Sequence, residues 1–234
     1  MRKIFYFIAA SLFVTIFISC GKQFDSKFNP LTLYSLKNYE IESIKGFPQI
    51  GQWMLDSNLN YAHWLGEIHY GKSLREPINI IIIDKISMST DEAKKRLIDS
   101  CRLAGYPSRR GHSGGYLAYI GHNLYSQLPE EKTHAFSNGP FEFKNNHGRI
   151  FGPHFYYGNY IFTGAFSREK IAPLAQIKHE FDSFNIARDD FAQNLDRKTS
   201  YKISGYISMN NFILKNPKIT TADHDGIAIL ITLE

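Results

Sequence analysis

From Pro77 to Lys85 the chain reads PINIIIIDK, an unbroken run of mostly β-branched residues. A run without alternation predicts a strand covered on both faces, and therefore a central one. The period then changes. Ser89, Thr90, Asp91 and Glu92 form a capping box, in which the Ser89 hydroxyl and the Glu92 carboxylate satisfy orphan amides at a helix start. Ala93, Leu97, Cys101 and Ala104 recur on one face until Gly105 and Pro107 close the helix.

Downstream, FEFKN (141–145), GRIFG (148–152) and NYIFTGAFS (159–167) predict short aromatic-rich strands separated by Gly, Pro and Asn. Phe184, Ala187, Phe191 and Leu195 mark a second amphipathic helix, with Asp182 or Ser183 as its cap. YKISGYIS (201–208) and GIAILITL (226–233) supply the last strands. The segment from 40 to Glu76 carries Trp53, Tyr61, Trp64 and Tyr70 and is expected to wrap the core. Together these elements predict an α+β fold, a single globular domain over 40–234 with a mixed, mostly antiparallel sheet and a few helices.

The N-terminus is of another kind. Arg2 and Lys3 precede an apolar run, Ile4 to Ile18, that ends in Ser19, Cys20 and Gly21. The run is short of the roughly 20 residues that span hydrocarbon comfortably. It resembles a bacterial lipoprotein signal, with Phe17 where leucine is usual. That resemblance implies removal of residues 1–19, lipidation of Cys20, and a tether over 20–39. The protein is then membrane-anchored through its lipid in the cell envelope, and Gly21 after the cysteine favours the outer membrane over the inner.

Loss of the two charges on Arg2 and Lys3 takes the formal net charge from +5 to about +3. The remaining basic residues are scattered, so no nucleic-acid partner is expected. With Cys20 acylated, Cys101 has no disulfide partner, and its place on a helix stripe predicts a buried inert thiol.

Three groups of residues invite chemical readings. GHSGG (111–115) has the G-x-S-x-G form of a hydrolase nucleophile, and Ser113, Asp190 and His224 fall in the order of a hydrolase triad. No buried strand leads into Ser113 and no helix leaves it, so the stretch reads as a turn. His147, His154, His179 and His224 lie among Asp182, Asp189, Asp190, Asp223 and Asp225. None has the spacing of a metal motif, so no metal or cofactor is assigned, and His179 with Asp182 is expected to shape the entrance of the second helix. Arg149, Arg168, Arg188, Asp189 and Asp225 read as an internal ion-pair network. The functional reading has the same arginines bind an anionic ligand such as a phosphorylated lipid headgroup.

The ordered series PINIIIID, LAYIGHNLYSQLPE, NNHGRIFGP, YIFTGAFSRE, KHEFDSFNIARDDF and HDGIAILI resembles the LssY-like C-terminal domain family over about 76–233. Carried across by position, the resemblance marks His147, Arg149, Gly164, Ala165, His179, Arg188, Asp189, Asp225 and Gly226. Ala187 stands where the family implies a glutamate, which leaves that position without a group for acid-base chemistry. The family implies an envelope setting without fixing a reaction, and the acid phosphatase motifs of the domains attached to it elsewhere are absent here.

The expectation is a lipid-anchored binding or assembly module for an envelope protein or lipid headgroup. The alternative is a hydrolase of an envelope substrate, built on His147, His179 and nearby carboxylates.

Overall fold

The computed structural model describes residues 40–171 and 179–234. The signal at 1–19, the lipidation site Cys20 and the tether to 39 lie outside the described residues. Among the described residues no helix is long and apolar enough to cross a membrane.

In chain order the elements are strands β1 (Ile41–Glu42), β2 (Ile50–Gly51), β3 (His63–His69), β4 (Lys72–Arg75) and β5 (Ile80–Asp84) and helix α1 (Thr90–Leu103). Strands β6 (Ser108–Arg110), β7 (Leu117–Ile120), β8 (Asn123–Leu128), β9 (His134–Ser137), β10 (Asn145–Tyr156), β11 (Asn159–Ile171) and β12 (His179–Ser183) follow. Helix α2 (Asn185–Lys198) and strands β13 (Lys202–Ser208), β14 (Ile219–Thr220) and β15 (Ile227–Leu233) complete them. The architecture is α+β-like, with sheet predominating.

The isoleucine run is β5, which pairs antiparallel with β11 and parallel with β15. Ile80 and Ile82 join a core with Ala93, Leu97 and Cys101 of α1 and with Ala187, Phe191 and Leu195 of α2. Ile81 joins a second core on the opposite face, with Phe151, Ile161, Ala165 and Ala228. Both faces are thus buried, and each large apolar side chain contributes about 1.5–3 kcal/mol.

Helix α1 begins as expected, with Ser89 Oγ accepting from Glu92 N at 3.2 Å. The reciprocal half of the capping box differs, because the Glu92 carboxylate accepts from Met88 N at 2.9 Å instead of from Ser89.

The short strands expected between 141 and 167 are one long hairpin of 12 and 13 residues, β10 and β11. Residues 141–144 are a turn and not strand, because Phe143 N donates to Pro140 O at 3.1 Å and Asn145 Nδ2 donates to Phe143 O at 2.9 Å. Gly152 and Pro153 do not end β10. They fall in the register shift between Phe151 and His154, where a bulge absorbs Gly152 at φ +118°. The hairpin is long enough for each strand to have two outer neighbours. β10 is flanked by β9 and β8, and β11 by β12 and β5.

Helix α2 rests on this hairpin through Phe191, which stacks on Phe166 with centroids 4.0 Å apart. Gly148 permits the arrangement, since a Cβ there would lie 2.4 Å from the Phe166 ring. Ser183 caps the helix by accepting from Ile186 N at 2.9 Å. Asp182 does not; it pairs with Lys144 at 3.0 Å and Arg168 at 3.4 Å. The acidic group at the helix start is Asp223, which accepts from Phe184 N at 2.8 Å. His179 likewise takes no part in the helix entrance, because β12 turns it toward β11.

Of the segment before Glu76, expected to wrap the core, β1 and β2 instead join the main sheet beside β7, and Tyr70 is exposed. β3, β4 and β14 form a small second sheet, from which Trp64 and Leu74 pack on Phe181 and Phe184.

Candidate functional site

Strand alternation makes the site. Ile150 and Phe166 point to the helices, so the odd positions of β10 and β11 point to the other face. Register sets Asn145 opposite Glu169, His147 opposite Ser167, and Arg149 opposite Ala165. A strip that the fold buries therefore carries an amide, an imidazole, a guanidinium and a carboxylate.

Hydrogen bonds order this strip. The Asn145 amide nitrogen donates both to Phe143 O and to the Glu169 carboxylate, so its Oδ1 faces His147. His147 Nδ1 lies 3.1 Å from that oxygen and donates to it, which leaves Nε2 carrying the lone pair. Trp64 Nε1 donates to Ser167 Oγ at 3.1 Å, and Ser167 Oγ lies 3.4 Å from His147 Nε2. On the far side, His179 Nδ1 lies 3.0 Å from Glu169 Oε2, and its ring stacks on Phe141.

The third imidazole comes from GHSGG. His112 sits in the loop between β6 and β7, with its ring centroid 4.5 Å from that of His147. The loop is held firmly. His112 N donates to Thr133 O at 3.1 Å, Gln127 Oε1 accepts from Gly115 N and Tyr116 N, and Arg149 Nη2 donates to Ser113 O at 2.6 Å. At Gly114 a Cβ would fall 1.6 Å from Lys132 O, so only glycine fits between the loop and its neighbour. His112 is 8 % exposed, and its Nε2 has no hydrogen-bond partner. Ligand atoms of His112, His147 and Glu169 all lie within 4.8 Å of one another.

Burial sets the protonation states. It pushes His112 down to about 3, helped by the positive Arg149 and by His179 and His134. His147 is driven well below the ordinary imidazole range by the same burial and by Arg149. Both rings are then neutral at ordinary pH and have lone pairs to offer. Burial raises Glu169, against the opposing Asn145 hydrogen bond and the His179 charge. Glu76 is pushed up to about 7 by burial, despite the pull of Arg149.

The candidate arginines separate into two kinds. Arg188 donates from Nη1 and Nη2 to the two oxygens of Asp225 at 2.6 and 3.2 Å, and from Nε to Asp189 at 2.8 Å. Arg168 pairs with Asp182. Among the described residues, Arg149 has no carboxylate in ion-pair contact. It is 2 % exposed, contacts Ser113 and the Tyr116 ring, and keeps a buried Nε with no partner.

The remaining histidine and aspartate candidates stand apart. His224 Nε2 lies 2.7 Å from Asn211 Oδ1, and His154 Nδ1 lies 2.9 Å from Tyr125 Oη. Asp190 accepts from Tyr106, Asn138 and Asn146. Neither Asp190 nor His224 is bonded to Ser113, whose hydroxyl meets Tyr116 Oη at 2.8 Å and Arg149 Nη2 at 3.5 Å. Cys101 is buried in the helix-side core, where burial pushes its thiol up. Gly164 and Ala165 lie on β11 beside Arg149, and Gly226 turns the chain into β15 at φ +79°.

Sequence reasoning gave no role to His112 or Glu169. The available signal was the period-2 polarity of Asn145, His147 and Arg149 facing Ser167 and Glu169, hidden when the hairpin is read as separate short strands. Compared with protein-family models, curated proteins and solved structures, the chain matches none.

Proposed function

We propose that this chain is a lipid-anchored envelope protein with an LssY-like domain, a single unit over 40–234 that binds an anionic ligand of the phosphorylated-headgroup kind. Cys20 carries the anchor, with the outer membrane favoured over the inner. The observation that supports the ligand reading is Arg149. A buried guanidinium is ordinarily balanced by a carboxylate. Arg168 and Arg188 lie in ion-pair contact with Asp182 and Asp225, whereas Arg149, buried in the polar strip, has no carboxylate in such contact among the described residues. Glu76 compensates it only in part near neutral pH, because its carboxyl titrates at about 7.

The test is titration of the full-length chain in detergent with inorganic phosphate and with glycerol phosphate. Saturable binding is expected, lost in Arg149→Met and kept in Arg102→Ala on the exposed face of α1. Binding unchanged in Arg149→Met sinks the reading. Binding of glycerol phosphate but not of phosphate identifies a headgroup as the source. For the anchor, Cys20→Ser is expected to abolish acyl labelling and membrane fractionation; unchanged behaviour refutes it.

The hydrolase reading has its own supporting observation, the convergence of His147 and His179 on Glu169. Turnover of a phosphoester analogue that disappears in Glu169→Gln promotes it over simple binding.

A further inference from the structure

We infer that His112, His147 and Glu169 form a binding site for one divalent transition-metal ion of the zinc class. Three observations meet here. The three ligand atoms lie within 4.8 Å of one another, against about 3.3 Å around a tetrahedral ion with bonds of about 2.0–2.1 Å. Closing that difference requires side-chain rotation at His112, His147 or Glu169, which stand on a clamped loop, β10 and β11.

Second, His112 Nε2 is buried without a partner. A polar atom orphaned at this depth is destabilising, and a metal bond would satisfy it. Third, the surrounding groups already do what ligands need. Asn145 Oδ1 accepts from His147 Nδ1 while its amide nitrogen donates to Glu169, so one side chain fixes both the ring and the carboxylate. His179 Nδ1 lies beside the other oxygen of that carboxylate, at 3.0 Å. Metal-bound histidines and carboxylates are commonly oriented in this way by a second ring of hydrogen bonds.

The donor set selects the ion. Two imidazoles with a single carboxylate suit zinc and its neighbours, while calcium and magnesium demand shells built mainly of oxygen. Three protein ligands leave a coordination position open. Arg149 stands beside this site, acting on both rings by its charge.

The inference goes beyond the anion reading and is tested apart from it, by calorimetric titration of the full-length chain in detergent with zinc ion alone. One ion per chain is expected. Glu169→Gln and His112→Ala each weaken binding by about 100-fold or more, and Asn145→Ala by about 10–100-fold. His154→Ala and His224→Ala leave it unchanged, and calcium does not compete. X-ray absorption of the zinc-loaded wild-type chain covers the case in which a variant fails to fold. Two imidazole nitrogens and a carboxylate oxygen are expected at about 2.0–2.1 Å. A sulfur ligand, a shell of water alone, or full-strength binding by His112→Ala overturns the inference. Zinc binding without phosphate binding defeats the anion reading alone, and phosphate binding without zinc defeats this one alone.

Discussion

Asn145 donates its side-chain amide to the Glu169 carboxylate from the directly opposite position of the paired strand. The contact holds the charged form of a buried acid, so Asn145 stabilises the fold most where Glu169 ionises. Removing Asn145 raises the Glu169 carboxyl further above its ordinary range, a change felt at high pH and absent once the acid is protonated. Asn145→Ala is therefore expected to lower stability by about 1–3 kcal/mol, with the larger loss on the alkaline side. Denaturant titrations in acidic and alkaline buffer measure it. Equal losses in both would show that the contact does not act through the Glu169 charge.

Arg188 ties α2 to the start of β15 through Asp225 and the Ile227 carbonyl. Its own side chain is buried, but Asp225 and Asp189 are 39 % and 45 % exposed, so water relieves much of what its loss leaves behind. Breaking a fully buried pair costs about 3–5 kcal/mol. Arg188→Ala is expected nearer 2 kcal/mol, because exposed partners are screened. Unfolding free energy within about 0.5 kcal/mol of wild type would remove the structural role.

His224 gives the acid limb of stability a definite sign. Burial pushes its imidazole down to about 3, with Arg188 assisting and Asp225 opposing. Between about pH 6.5 and 3 the unfolded chain then binds the proton and the folded chain does not, so stability falls as pH drops through that window. His112 and His147 act in the same direction. His224→Gln removes one such group while its amide can still donate to Asn211. The slope of unfolding free energy is expected to lessen by about 1.4 kcal/mol per pH unit near pH 5. An unchanged slope would mean that His224 is protonated in the fold.

The elements and contacts of the fold differ in how far the sequence foretells them, and the differences are physical. The central strand and α1 were legible because burial on both faces and a 3.6-residue stripe leave direct marks on residue order. Arg188 with Asp189 and Asp225 was legible as a charge network, since a buried guanidinium requires acids. Asp182 and Ser183 lie near His179 in sequence and point it to a helix entrance. Its real partner, Glu169, is brought by strand pairing, which no local spacing records. Asp223 caps α2 from 39 residues away in the same unreadable manner. The hairpin reads in sequence as separate short strands because Gly and Pro ordinarily punctuate strands, and here a bulge absorbs them.

The loop that carries Ser113 also carries His112, and the two have opposite prospects. Ser113 is exposed, its hydroxyl meets Tyr116 and Arg149, and neither contact is a base able to take its proton. A serine hydroxyl is a weak nucleophile without an adjacent base and an oxyanion site. The residues around it are irregular backbone held by Gln127, with no helix following to supply amides. Ser113→Ala is accordingly expected to leave folding, phosphate binding and zinc binding within about 0.5 kcal/mol of wild type. Incubation with a fluorophosphonate probe gives the decisive reading. Stoichiometric labelling that vanishes in Ser113→Ala would make the serine a nucleophile and move the chemistry of this loop from imidazole to hydroxyl; absence of labelling, with zinc affinity lost in His112→Ala, leaves the histidine as the reason the loop is clamped in place.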